Sequence, residues 1–200
     1  FNKWMPDVVT TIATPILTIL ISTPLALSLI APLGVNIGNL ISNGLLLFSE
    51  KTGFIGLGVL AALWEFLVMT GMHHALTPIG LNAIATGGSD TLIFVSQVCS
   101  NLAQSGSSFA VAVKSKDSNM KQLASAAAVS ALMGITEPAL YGVTLKLKRP
   151  VVAASVAAGI GGIVGGLFQV SLYIAQNCIM AIPAFIGDKG MRNLLYGIIM

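Results

Sequence analysis

Two basic clusters, separated by an apolar stretch too short to cross a bilayer twice, fix most of what this chain can fold into. Lys114, Lys116 and Lys121 lie on one side, Lys146, Lys148 and Arg149 on the other, and no basic residue stands between Lys121 and Lys146. Basic loops collect on the cytoplasmic face of a membrane, so both clusters are expected there. The arm Gln122 to Gly134 rises roughly 20 Å as a helix at about 1.5 Å per residue, against a hydrocarbon core of about 30 Å. It can enter but not span. Residues 122–149 are therefore expected to form a re-entrant hairpin with Gly134-Ile135-Thr136-Glu137-Pro138-Ala139 at its tip. Pro138 has no backbone donor, and carbonyls left unpaired at membrane depth are tolerated only inside protein or against a cavity. Glu137, an ionisable group within apolar sequence, marks a functional site by default.

Composition agrees with a membrane setting. Of the 200 residues 55% are hydrophobic and only 8% charged, with several apolar runs of spanning length; such a chain is an integral membrane protein. The net charge of +3 resides in loop lysines, without the long basic stripe or interleaved aromatics of a nucleic-acid surface. No nucleic-acid partner is expected. The chain begins at Phe1 and ends within the apolar run Leu194 to Met200, so it reads as a piece of a longer chain, and its first apolar run has no secretory-leader pattern. Cys99 and Cys178 are far apart in apolar segments and are expected to be buried and reduced.

Along the chain, Val8 to Ala31 reads as one span kinked by Pro15 and Pro24, and Leu33 to Ser49 as a shorter return arm. After the turn Glu50 to Gly53, the apolar run Phe54 to Met72 carries Trp64 and Glu65. The polar stretch His73 to Asp90 is expected to be irregular, at membrane depth within the protein. Thr91 to Val113 has helical length and a stripe of Gln97, Asn101, Gln104 and serines suited to a bundle interior, returning the chain to the cytoplasm at Lys114. Val151 to Met180 reads as one long span whose Gly159, Gly161, Gly162, Gly165 and Gly166 permit close helix approach, with a hinge as the alternative. The fold expected is all-α and polytopic, with transmembrane helices and one re-entrant hairpin.

The candidate site residues are Glu137, Thr136, His73, His74 and Glu65. Glu137 is suited to accept hydrogen bonds from sugar hydroxyls and to take a hydroxyl proton during phosphoryl transfer; a structural alternative is an anion held at the start of the helix that follows. Thr136 stands beside it as donor or acceptor. His73 and His74 project about 100° apart on a helix, and no neighbouring ligand completes a metal site, so neither metal nor cofactor is expected. One histidine is read as a packing residue and the other as available to a polar substrate. Glu65, eight residues before His73, falls on a broadly similar face of a continuous helix, either paired within the bundle or meeting substrate. Trp64, Tyr141 and Phe168 are packing or interface residues that could also stack on a sugar ring. Gly87-Gly88 lacks the spacing and lysine of a phosphate loop.

Two motifs carry a family resemblance. Gly134-Ile135-Thr136-Glu137-Pro138-Ala139-Leu140-Tyr141-Gly142-Val143, continuing to Lys148-Arg149-Pro150, and Gly71-Met72-His73-His74-Ala75-Leu76-Thr77-Pro78-Ile79 resemble segments of the membrane-embedded C component of bacterial phosphoenolpyruvate-dependent sugar phosphotransferase transporters, in the β-glucoside-like branch of the glucose superfamily. The likeness extends over essentially all of residues 1–200, as the C-terminal, substrate-binding half of that component. It implies vectorial transport in the bacterial inner membrane: sugar is bound outside, carried by an elevator-like movement, and phosphorylated inside by a phosphocysteine on a separate B component. That component is in turn charged through an A component and a phosphocarrier protein. By the same resemblance Glu137 binds sugar hydroxyls near the one that is phosphorylated, His73 is the better placed histidine for a sugar contact, and the whole permease is a homodimer surrounded by membrane lipid. The implied sugar is a β-glucoside, with sucrose or trehalose as rivals. From other classes, an ion-coupled carrier would need an ion gradient, and a sugar sensor would bind without accumulation.

Overall fold

The structure is a computed structural model that describes residues 7–30, 32–33, 36, 40, 43–44, 47–48 and 51–200. They divide between Ile41 and Ser42 into two compact units. In the first unit α1, Asp7–Leu25, contains Pro15 and Pro24 and runs on as a π-helical turn, Ala26–Ile30. This single helical run matches the first predicted span; Leu33 to Ser49 lies largely outside the described residues.

Among the described residues of the second unit, every regular element is helical, and one isolated bridge pairs Asp90 with Leu172. Its elements are α2 (Phe54–Thr70), α3 (His73–Gly87), α4 (Ile93–Lys114) and α5 (Ser118–Leu132), then a second hairpin arm of α6 (Glu137–Ala139), a π-helical turn (Leu140–Thr144) and α7 (Leu145–Leu147). They are followed by α8 (Arg149–Leu167), two 3-10 turns (Ile179–Ala181 and Pro183–Phe185) and α9 (Gly190–Ile199). Helix α4 is central, packed against α2, α5 and α8, while α2 and α8 form the closest helix pair.

Polarity is arranged inside out. Ser96, Gln97, Ser100, Asn101, Gln104, Ser105 and Ser108 of α4 are all buried, whereas Val152, Val156, Ile160 and Leu167 of α8 are each more than half exposed. Water would favour the reverse arrangement; lipid accommodates an apolar outer surface and leaves the polar groups to join helices from within. Ser100 Oγ donates to Glu65 Oε1 of α2 at 2.8 Å, and Ser105 Oγ to the Ala128 carbonyl of α5 at 2.8 Å. The polar stripe of α4 thus faces the bundle interior, as its spacing predicts.

Glycine supplies the α2–α8 contact. A Cβ on Gly162 would come within 2.8 Å of Gly58 Cα and 2.9 Å of the Leu57 carbonyl oxygen, and one on Gly166 within 2.6 Å of Phe54 Cα. Side chains there would force the backbones apart, so the packing reading of these glycines is the one the structure bears out. Only α8 among the described residues is both long and apolar enough to cross a membrane by itself; α2 and the stretch Ile16–Ser28 are shorter apolar helices.

Two expectations are corrected. His73 to Asp90 is not irregular: α3 occupies most of it, with Pro78 inside. Gly71, at φ +74°, ends α2 and lets the chain turn before helix resumes at His73. Nor is Val151 to Met180 one span. Helix α8 stops at Leu167, Gln169 takes a positive φ of 50°, and the chain turns back along α4 as a non-helical segment. That segment is tied down by the reciprocal Asp90–Leu172 backbone hydrogen bonds, both 2.8 Å, and by Asn193 of α9. The Asn193 amide accepts from Ser171 N at 3.0 Å and donates to the carbonyls of Ser171 at 2.7 Å and Phe185 at 2.6 Å.

Candidate functional site

The turn before Glu137 is built by its glycine. Gly134 N–H donates to the Ala131 carbonyl at 2.9 Å and Ile135 N–H to the Ser130 carbonyl at 3.0 Å, the paired closure of a Schellman motif with Gly134 in the left-handed position at φ +90°. Ser130 Oγ adds a hydrogen bond to the Ile135 carbonyl at 2.9 Å. Helix then restarts at Glu137, with Pro138 in its first turn, where a missing N–H costs nothing. The two arms pack against each other, giving the helical hairpin that the sequence predicts in backbone terms.

The Glu137 side chain is exposed and makes no hydrogen bond among the described residues. The purely structural alternative, a carboxylate capping the following helix, is therefore not what the geometry contains. Instead Glu137 borders a cavity of about 450 Å³ with Thr136, His73, His74, Trp64, Gln97, Asn101 and Asn177 among its lining residues. That volume lies in the range of about 300–1,000 Å³ usual for small-molecule sites.

Four of the five sequence-predicted residues meet there, both histidines among them. Their rings lie 4.0 Å apart at 37°; His73 is half-buried, with Nδ1 3.4 Å from the Leu67 carbonyl, and His74 is exposed. Glu65 is the exception. The break at Gly71 removes the continuous helix that would have aligned it with His73, and its side chain, 1% exposed, sits behind the wall against Ser100. Its Oε2 has no partner among the described residues.

Of the three aromatics, Trp64 lines the cavity, while Phe168 stacks on Tyr196 at 4.4 Å and Tyr141 is exposed elsewhere. Gln97, Asn101 and Asn177 were not predicted as site residues. Gln97 and Asn101 stand one turn apart on the polar stripe of α4, which was the available signal; Asn177 had none, because it falls where a continuous span was expected. Asn101 Nδ2 donates to the Asn177 carbonyl at 2.6 Å, pinning the returning segment to α4. Gly134 closes the ring, since a Cβ on it would lie 2.7 Å from Asn177 Oδ1. The arrangement offers amide donors and acceptors, a hydroxyl, imidazoles and one free carboxylate around an indole wall, a set that matches a polyhydroxylated ring with an apolar face.

A model of the phosphotransferase-system EIIC family matches residues 1–159. The chain belongs to this family. EIIC domains are membrane permeases, which agrees with the inverted polarity of the helices. Curated relatives include the arbutin-, cellobiose- and salicin-specific EIIBC component of Escherichia coli strain K12, 43% identical over 83% of this chain and 35% of the relative. The β-glucoside-specific EIIBCA component of Halalkalibacterium halodurans is 36% identical over 100% of this chain and 31% of its own length. The sucrose-specific EIIBC component of Staphylococcus xylosus is 39% identical over 100% and 42%. This EIIC chain thus spans roughly a third of the curated relatives it matches. No solved structure gives a significant match.

Proposed function

We propose that this EIIC chain is the sugar-binding and translocating half of a multi-pass permease in the bacterial inner membrane, importing a β-glucoside with coupled phosphorylation. The observation that carries this reading is the Glu137 carboxylate, without a hydrogen bond among the described residues, at a cavity that His73 and Thr136 also line. The hairpin 122–149 enters the membrane from the cytoplasmic face and presents that carboxylate at its tip. Sugar hydroxyls are held by Glu137, His73 and the amides of Gln97, Asn101 and Asn177, with the ring against Trp64.

In the transfer step the sugar hydroxyl oxygen attacks phosphorus on a phosphocysteine of the B component. The new O–P bond forms as the S–P bond breaks, the thiolate leaves on the B component, and the hydroxyl proton passes to Glu137. Relatives named as EIIBC and EIIBCA carry B, or B and A, components in the same polypeptide, which supports such partners here; a phosphocarrier protein would recharge them, and the full permease would be a homodimer. Sucrose is the second reading, supported by the sucrose-specific relative.

The test uses membrane vesicles with the full-length parent, phosphorylated B component and radiolabelled β-glucosides, sucrose and trehalose. One sugar should appear as its phosphate, and Glu137→Gln should lower that rate about 100-fold or more while the protein remains folded. Unmodified sugar inside the vesicles, or an unchanged rate in Glu137→Gln, would refute the group-transfer reading.

A further inference from the structure

A cleft of about 550 Å³ opens where α4 ends and α8 begins, and it shares no lining residue with the sugar cavity. Its walls are mostly apolar, formed by residues such as Val111, Met120, Leu147 and Pro150, with Lys114 and Arg149 among them. Both cations are exposed, and among the described residues no carboxylate is paired with either. Asp117, the acid nearest Lys114 in sequence, is occupied in capping α5, accepting from Asn119 N at 3.1 Å.

Depth follows from α8. Its 19 residues begin at Arg149 and rise about 28 Å, close to one hydrocarbon thickness, so a bilayer crossed by α8 has a surface near Arg149. Lys114, the last residue of α4, lies at the same end. The charges therefore sit at a membrane surface and the apolar walls beside the acyl region. Lys116, Lys121, Lys146 and Lys148 make this the basic face, the one expected to meet the anionic cytoplasmic leaflet.

We infer that this cleft seats an anionic phospholipid, its phosphate between Lys114 and Arg149 and its acyl chain along the apolar walls. A soluble anion would use the charges but not the walls; a neutral lipid would use the walls and leave the cations unmatched. Only a ligand with both parts matches the whole cleft. The inference rests on the membrane placement given under the proposed function and is independent of the sugar.

Native mass spectrometry of the full-length parent, titrated with equal amounts of phosphatidylglycerol and phosphatidylcholine, tests it. Phosphatidylglycerol should be retained preferentially, and K114Q/R149Q should weaken its binding at least about tenfold, because each substitution removes a direct charge-assisted contact to the phosphate. K121Q/K146Q, outside the cleft and acting only through screened surface charge, should change it less than about threefold. Ala153→Trp, which fills the cleft and leaves its charges intact, should displace the lipid. Equal binding of the two lipids, or equal weakening by the two double variants, would overturn the site in favour of diffuse surface charge. Unchanged lipid binding in K114Q/R149Q, with loss of affinity for the phosphorylated B component, would make the cleft a protein-docking face instead. Sugar phosphorylation is not read, so failure of the sugar assignment leaves this result interpretable.

Discussion

Replacing Gly134 by alanine tests whether the shape of one turn sets the geometry of the sugar cavity. At φ +90° an alanine is held in the left-handed region, which costs about 1–2 kcal/mol. Its Cβ would also lie 2.7 Å from Asn177 Oδ1 and 3.2 Å from Cys178 Cβ. The Asn177 amide is the more mobile of the two, and driving it off its rotamer adds roughly 0.5–1.5 kcal/mol. The expected destabilisation is therefore about 1.5–3.5 kcal/mol, read as a fall of several degrees in the melting midpoint of the purified parent. Sugar affinity should drop about fivefold, the equivalent of about 1 kcal/mol for one lost hydrogen bond from Asn177. Asn177→Ala alone should reproduce the affinity loss without the backbone cost. In the double variant the steric part disappears, leaving a coupling of about 0.5–1.5 kcal/mol in stability and no further loss of binding. Strict additivity of the two substitutions, in both melting and binding, would refute the claim that the turn holds Asn177 in place.

Two further perturbations probe the scaffold. Asn193→Ala removes the amide that holds the carbonyls of Ser171 and Phe185 and the Ser171 N–H; with these groups left buried, a loss of about 3 kcal/mol is expected, and hydrogen exchange should accelerate over 169–177 ahead of α4. Gly162→Ala should cost about 1–3 kcal/mol, because the atoms its Cβ meets at 2.8 and 2.9 Å are backbone of α2. Gly106→Ala, in the interior of α4 with open space around it, is the control and should be neutral or stabilising by up to about 1 kcal/mol.

The hairpin was legible in the sequence because its cause is local. Basic clusters bound it, Gly134 permits the left-handed turn and Pro138 permits a helix start, so the backbone path follows from residues close in the chain. Glu137, Thr136, His73 and His74, singled out from two local motifs, border one cavity. What failed depended on tertiary contacts. α3 forms in a stretch rich in Gly, Asn and Thr, and the turn after it is held by Asp90, tied to Leu172 more than eighty residues on. Glycine explains the break before His73: the same residue type packs α2 against α8 at Gly162 and ends a helix at Gly71, and composition alone does not distinguish the two uses. The error at Gly71 moved Glu65 out of line with His73; the error after Leu167 hid Asn177.

Helix α4 unites these observations. From one buried stripe it binds α2 through Ser100 and Glu65, α5 through Ser105 and the Ala128 carbonyl, and the returning segment through Asn101 and the Asn177 carbonyl. Gln97 and Asn101 of the same stripe line the cavity that Glu137 borders. Two of its walls, α2 and the returning segment, are thus tied to α4 by hydrogen bonds. A cavity held in this way moves as one body with α4 or does not move. If the chain carries sugar as proposed, a site whose walls shifted separately would lose its ligand in transit, and the polar stripe that a soluble protein would place outside is what would keep the carried site coherent.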